Sequence, residues 1–228
     1  MKKFKSIVTG GAGFIGSNLV DRLVEEGHKV IVIDNFVSGK KDNLSHHSKK
    51  NVKIIKSDIS NNRKLYKHFK GVNYVFHLAG LAEIVPSIEN PRKYFMNNTL
   101  GTLNILEAAK QVKIKKFIYA ASSSCYGTPK KIPTRETDKI DTKHPYAFTK
   151  FLGEEAVIKY ANFFRMPNIS CRFFNVYGPR LNRTSQYGAV FSNFLTQKKR
   201  HKPLTIVGNG RQTRDFIHVD DLTNAFVI

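Results

Sequence analysis

In Tyr146-Ala147-Phe148-Thr149-Lys150 a phenol and an ammonium stand at i and i+4, which a helix would bring onto one face. A free tyrosine titrates near pH ~10, too high for a base at neutrality. Positive charge nearby favours the phenolate and moves it toward a working range. Alone, such a pair is common on surfaces. It gains weight from Ala120-Ala121-Ser122-Ser123-Ser124-Cys125-Tyr126-Gly127, a serine-rich run behind an apolar one. Hydroxyls at the C-terminal end of a parallel strand face a ligand crevice and can hold a substrate oxygen. Serine is equally at home in an ordinary strand-to-loop turn.

A second group of residues suits a phosphate ligand. Lys5-Ser6-Ile7-Val8-Thr9-Gly10-Gly11-Ala12-Gly13-Phe14-Ile15-Gly16 is an apolar strand that breaks into glycines and resumes as a helix. Gly11, Gly13 and Gly16 satisfy G-x-G-x-x-G, and Gly10, Gly13 and Gly16 satisfy G-x-x-G-x-x-G. Such glycines serve a tight turn, close approach to a pyrophosphate, and helix-on-strand packing. The following helix, entered at Phe14 and Ile15, offers unpaired N–H groups and a positive dipole end. Lys29 to Ile33 then forms a second strand ending in Asp34, an acid placed for a ribose 2′-hydroxyl. Asn35 and Phe36 follow without an arginine, which selects NAD over NADP. A nicotinamide cation would add to Lys150 in favouring a Tyr146 phenolate.

These residues need a scaffold that presents strand ends to one crevice. Strands are expected at 4–9, 30–34, 52–56, 74–78, 116–121 and 169–174, and helices at 13–26, 63–69, 92–110, 146–164 and 188–199. Pro91 and Pro145 stand at favoured helix starts. The alternation implies an α/β fold, a doubly wound parallel sheet of the Rossmann type. The segment from Asp220 to Ile228 reads as the opening turns of an amphipathic helix without a cap, so further chain is expected beyond it.

Hydrophobic residues make up 41% of the chain, enough for a real core, and no apolar run suits a membrane span or a signal peptide. A cytoplasmic location is expected. Cys125 and Cys171 show neither metal spacing nor a paired framework, so no metal is expected. The net charge of +21 raises nucleic-acid binding, but the lysines are scattered and no nucleic-acid motif accompanies them. A solvated lysine-rich surface that draws anionic substrates is the simpler reading.

The order of these motifs, with Asp58-Ile59, His77-Leu78-Ala79-Gly80, Arg172-Phe173-Phe174-Asn175-Val176-Tyr177-Gly178-Pro179-Arg180 and Arg214-Asp215-Phe216-Ile217-His218-Val219-Asp220-Asp221, resembles the extended short-chain dehydrogenase/reductases. Within them it is similar to the NAD-dependent nucleotide-sugar epimerase/dehydratase branch. The resemblance implies an NAD domain over 1–175 and an incomplete nucleotide-sugar lobe over 176–228, with a return segment to the first. It implies that Asp58 and Ile59 cradle the adenine and that Ala79 and Gly80 line the cofactor cleft. Asn97 or Asn98 would stand near the cofactor, although a bond within the helix is an equal account. Ser122, Tyr146 and Lys150 would be catalytic, with Lys150 also on the nicotinamide ribose. Ser87, Ser122, Ser123, Ser124 and Tyr146 would meet the sugar, Asn175 and Arg214 the diphosphate, and Ala189, Val190 and Thr205 the base. A homodimer through the helices at 92–110 and 146–164 would be usual.

Two positions narrow the implied reaction. Family dehydratases carry Asp and Glu where this chain has Ser123 and Ser124, and UDP-glucuronate decarboxylases usually keep the Glu. Without that acid and base, elimination lacks its proton donor and acceptor. Ala82 replaces a lysine common in UDP-galactose-type enzymes, and Val85-Pro86-Ser87-Ile88 leans toward N-acetylated or uronic-acid UDP-hexoses. The expected activity is C4 epimerisation of a UDP-hexose through a 4-keto intermediate. Other nucleotide-sugar reactions are the alternative, as is a non-catalytic NAD-binding regulator, which retention of Tyr146 and Lys150 disfavours.

Overall fold

The computed structural model describes residues 4–61, 63–129, 131–181, 190–206 and 208–227. Its strands are β1 (Lys5–Thr9), β2 (Lys29–Asp34), β3 (Val52–Lys56), β4 (Tyr74–His77), β5 (Lys116–Ser122), β6 (Asn168–Phe173), β7 (Asn175–Tyr177) and β8 (Phe216–His218). The first six form one sheet in the order β3-β2-β1-β4-β5-β6. Every pairing in it is parallel, with Ile7 opposite both Ile31 and Val75. This is the doubly wound order, and its winding reverses between β1 and β4, where a crevice opens at the carboxyl ends.

The α-helices are α1 (Phe14–Glu25), α2 (Ile84–Glu89), α3 (Pro91–Tyr94), α4 (Gly101–Lys110), α5 (Pro145–Phe164), α6 (Val190–Lys199) and α7 (Val219–Val227). Strand residues alternate between two apolar layers, as a sheet covered on both faces requires. Ile7, Ile31 and Ile33 join Ile105 and Leu106 of α4 and Val157 of α5 on one side. Val8, Val30 and Val32 join Leu19, Val20 and Leu23 of α1 and Phe226 of α7 on the other. The chain thus returns to the large sheet after β7 and β8, which pair in parallel with each other.

Several elements differ from expectation. The helix expected at 92–110 is α3, a π-helical stretch Phe95–Leu100, and α4. A π turn carries an extra residue per turn and is frequent at functional sites; here it holds Asn98 buried. The helix expected at 63–69 is a 3-10 turn, Arg63–His68. The strands β7 and β8 have three residues each, too few for a two-residue period to show in the sequence.

A buried polar chain ties β1 and β4 to the π turn. Thr102 Oγ1 donates to Asn98 O at 2.6 Å, so it accepts from His77 Nε2 at 2.9 Å. His77 Nδ1 is then bare and accepts from Thr9 Oγ1 at 2.6 Å, while Thr9 Oγ1 accepts from Ala79 N at 3.1 Å. This bonding assigns the neutral Nε2–H tautomer. Burial, with the Lys150 charge adding to it, pushes this imidazole down to about 3. A folded pKa below the unfolded value gives a contribution complete above the unfolded pKa and lost as pH falls toward the folded one. Stability should therefore drop by about 2 kcal/mol from pH ~6.5 to ~5 on this account. Urea unfolding at both pH values should show it, with a smaller drop in His77→Asn.

Candidate active site

The crevice at the β1–β4 reversal is lined by Gly10, Gly13, Phe14, Ile15, Gly16, Asp34, Asn35, Ile59, Ala79, Gly80 and Asn97. Nearly all the expected cofactor residues outside the catalytic pair therefore converge. Gly10 has φ of +68°, and a Cβ there would lie 2.8 Å from Ala79 N, so the loops after β1 and β4 touch only because it is glycine. A Cβ on Gly16 would drive into Gly10 O. Gly16→Ala should therefore displace the loop, weaken cofactor binding as measured by titration, and destabilise the fold by about 1–3 kcal/mol. The N-cap of α1 is Gly13, with no capping side chain and no acid in the first turn. Its N–H groups and positive end are left for an anion in the crevice.

Asp34 is buried and first of all holds the loop. Its Oδ2 accepts from Ala12 N at 2.9 Å and its Oδ1 from Phe36 N at 2.8 Å. Asn35 Nδ2 donates to Asp58 Oδ2 at 3.0 Å, and Asp58 Oδ1 accepts from Ser60 N and Oγ. Burial pushes the Asp58 carboxyl up, but the bonds from Ser60 and Asn35 outweigh it and hold it low, so it is ionised. Ser57 and Ile59 line the crevice beside it.

The catalytic candidates sit where β5 meets α5. Pro145 opens that helix, and His144 Nδ1 caps it by accepting from Ala147 N at 3.2 Å. Tyr146 Oη donates to Ser122 Oγ at 3.2 Å. Ser122 Oγ also accepts from Ser124 N and lies 2.8 Å from Ser124 Oγ. Ser123 begins the same 3-10 turn and is half-buried. Lys150 is buried with Nζ 4.2 Å above the Tyr119 ring, and a Cβ on Gly80 would lie 3.9 Å from that Nζ. The lysine thus reaches the cofactor crevice.

The expected lowering of the Tyr146 phenol rests on Lys150 together with a nicotinamide cation. In the polypeptide, burial pushes that phenol up, opposed by the bond to Ser122. Burial also pushes Lys150 down to about 7, opposed by Glu154. Desolvation disfavours both charged forms, so the chain alone does not make a phenolate.

Other expected residues fall differently. Ser87 is wholly buried, donating to Ile84 O and accepting from Tyr146 N at 3.1 Å. Its hydroxyl positions the start of α5 and has no free face for a sugar. Asn97 both donates to Lys93 O within its helix and lines the crevice. Asn98 accepts from Leu81 N and donates to Leu81 O and Thr149 Oγ1, clamping the loop after Gly80 to α5.

The pairing of β7 with β8 sets Asn175 opposite Phe216, and Asn175 Nδ2 donates to Asp215 O at 2.9 Å. Arg214 is exposed and donates to Thr213 O. Val190 opens α6, and Thr205 bonds Gln197 of that helix through both N and Oγ1. None of these four lines the cofactor crevice, and Ala189 lies outside the described residues.

Behind the site, Glu154 of α5 is buried and takes Arg172 of β6 in a forked pair, with Nε–Oε1 3.0 Å and Nε–Oε2 3.1 Å. Arg172 also donates to Tyr126 Oη at 2.7 Å, just past the serine turn. This pair fixes α5 against the strand edge at β6. Cys125 is buried and its thiol is pushed up to about 11 by burial, which suits packing rather than chemistry.

The model of the NAD dependent epimerase/dehydratase family matches residues 6–228. The chain belongs to that family, and NAD is its cofactor. Over 221 residues it is 36% identical to a putative UDP-glucose 4-epimerase of Methanocaldococcus jannaschii, covering 96% of this chain and 71% of that protein. It is 38% identical over 232 residues to UDP-glucuronic acid decarboxylase 2 of Arabidopsis thaliana, covering 99% of this chain and half of that one. Among solved structures, UDP-N-acetylglucosamine 4-epimerase of Methanobrevibacter ruminantium, in complex with UDP-N-acetylmuramic acid, superposes with a TM-score of 0.95 at 37% identity. That superposition covers all of this chain and 73% of the other. No helix among the described residues is long and apolar enough to cross a membrane.

Proposed function

We propose that this family member epimerises a UDP-hexose, N-acetylated or a uronic acid, at C4 through a 4-keto intermediate. The observation that carries the reading is the Tyr146 Oη–Ser122 Oγ bond beside a crevice that has serine, not carboxylate, at positions 123 and 124.

The crevice fits NAD: the uncapped N-terminus of α1 would hold the pyrophosphate, and Asp34, at the C-terminal end of β2, would hold the adenosine ribose. When bound, NAD would supply the hydride acceptor and donor for C4 and a positively charged ring. Such a charge beside the buried Tyr146 would favour its phenolate. Tyr146 then removes the 4-hydroxyl proton, and Ser122 Oγ bridges the phenol and the sugar oxygen. The same oxygens return the proton after the ring has turned over. Lys150 holds the nicotinamide ribose.

Residues 1–175 are read as the NAD domain and 176–228 as part of the nucleotide-sugar lobe, with Asn175 and Arg214 on the diphosphate and Val190 and Thr205 near the base. The protein is cytoplasmic on this reading. It is a homodimer through the exposed apolar residues Phe95, Met96, Phe148 and Ile158 beside and along α5.

The likeness to a decarboxylase supplies the second reading. Incubation with UDP-N-acetylglucosamine, UDP-glucose and UDP-glucuronic acid, followed by proton NMR, distinguishes the two. C4 epimers are expected; a pentose product with release of carbon dioxide would replace the first reading by the second.

A further inference from the structure

Away from the NAD crevice, three metal-ligating side chains meet. Asp21 comes from α1, and His46 and His47 from the turn that follows the 3-10 stretch Lys41–Leu44. Their ligand atoms all lie within 4.8 Å of one another. Both Nε2 atoms address one oxygen: Asp21 Oδ1 is 2.9 Å from His46 and 2.6 Å from His47. The two rings lie with centroids 4.1 Å apart. The outer oxygen, Oδ2, is held by Arg180 at 2.6 Å.

We propose that Asp21, His46 and His47 bind a zinc-like divalent transition metal ion that staples α1 to the loop after β2. Two imidazoles and one carboxylate form a nitrogen-rich set, which suits Zn2+, Co2+ or Ni2+ and not Mg2+ or Ca2+. Binding needs no redox step. In the metal-bound form each imidazole carries one proton, on Nδ1, and its Nε2 lone pair takes the metal in place of the present hydrogen bond; a ring that starts charged releases its second proton to solvent. Arg180 already holds the outer oxygen Oδ2, and a hydrogen-bonded outer oxygen is the usual support of a ligating carboxylate. His46 is half exposed, so water completes the coordination.

The ligands come from segments 25 and 26 residues apart, so no short Cys/His spacing announces them in the sequence. Through Arg180 the staple also reaches the turn that leaves β7, where Asn18 of α1 donates to Pro179 O at 3.2 Å. The metal would thus fasten the helix that faces the pyrophosphate to the segment leading toward the substrate lobe.

The test uses the untagged, chelator-treated chain, titrated calorimetrically with Zn2+ and, in parallel, Mg2+. About one equivalent of Zn2+ should bind, Mg2+ should not, and Co2+ should give the visible absorption of a nitrogen-ligated ion. At a hundredfold excess over Kd the melting temperature should rise by roughly 5–10 °C. His46→Ala, chosen because that ring is half exposed, should weaken binding about 10–100-fold and cut the thermal shift at the same metal concentration by about half or more. His47→Ala should act likewise. No Zn2+ binding, or binding unchanged in both variants, would overturn the proposal.

Discussion

Tyr146→Phe is expected to lower kcat by about 10²–10⁴-fold with NAD still bound, the range that a positioned acid–base group contributes. The substitution removes one oxygen and keeps the ring that stacks on His144 at 5.9 Å. Its partner Ser122 keeps the Ser124 hydroxyl at 2.8 Å, so no buried group is orphaned. Stability should change by no more than about 1 kcal/mol, the worth of one ordinary hydrogen bond. The comparison that matters is therefore turnover against cofactor content, measured on one preparation. Ser122→Ala should show the same pattern with a smaller loss, because the phenol keeps its place on α5. If Tyr146→Phe retained near-normal turnover, the proton-transfer role would belong elsewhere.

The largest stability effect is expected at Arg172→Met. Glu154 is almost wholly buried, with a side chain 2% exposed, and Arg172 supplies its opposite charge in a forked geometry. Removing the guanidinium leaves a buried carboxylate whose remaining hydrogen bond among the described residues is from Ser170 Oγ at 3.1 Å, with Lys150 as the nearby positive group. Losses of about 3–5 kcal/mol are usual for such a break. In a domain of this size that corresponds to a fall in melting temperature of roughly 6–20 °C. The double variant Arg172→Met/Glu154→Leu should recover most of it, since two apolar residues need no mutual neutralisation. Chemical unfolding of both single variants and the double variant gives the coupling. If the two losses simply added, the pair would not act as a unit.

The elements that can be read from the sequence are the local ones. The glycine run, the strand ending in Asp34 and the i, i+4 pair of Tyr146 and Lys150 each show their chemistry within a few residues. The strand-end rule puts Ser122 at the crevice but leaves an ordinary turn open; the resemblance to the family is what pairs it with Tyr146, and the two are bonded at 3.2 Å. The parts that escape are those whose partners are remote in the chain. Asn98 meets Leu81, His77 meets Thr102, and Arg172 meets Glu154 only because separate strands and helices are packed side by side. Ser87 illustrates the cost of position without depth. It lies in the expected segment, but its hydroxyl is turned inward to hold the Tyr146 backbone. The suppression of the Tyr146 and Lys150 charges in the chain without NAD escapes for a related reason. Spacing shows that they are neighbours, while the burial that suppresses both charges belongs to the packed fold.

The central claim is that one hydride leaves C4 and returns to C4 within a single visit of the sugar. Substrate deuterated at C4, supplied as the best of the three UDP-hexoses, tests it directly by mass spectrometry and NMR of the product. The account predicts the C4 epimer with deuterium retained at C4 and no net NADH formed. Loss of the label to solvent, release of free NADH in step with product, or a product whose C4 configuration is unchanged would contradict it.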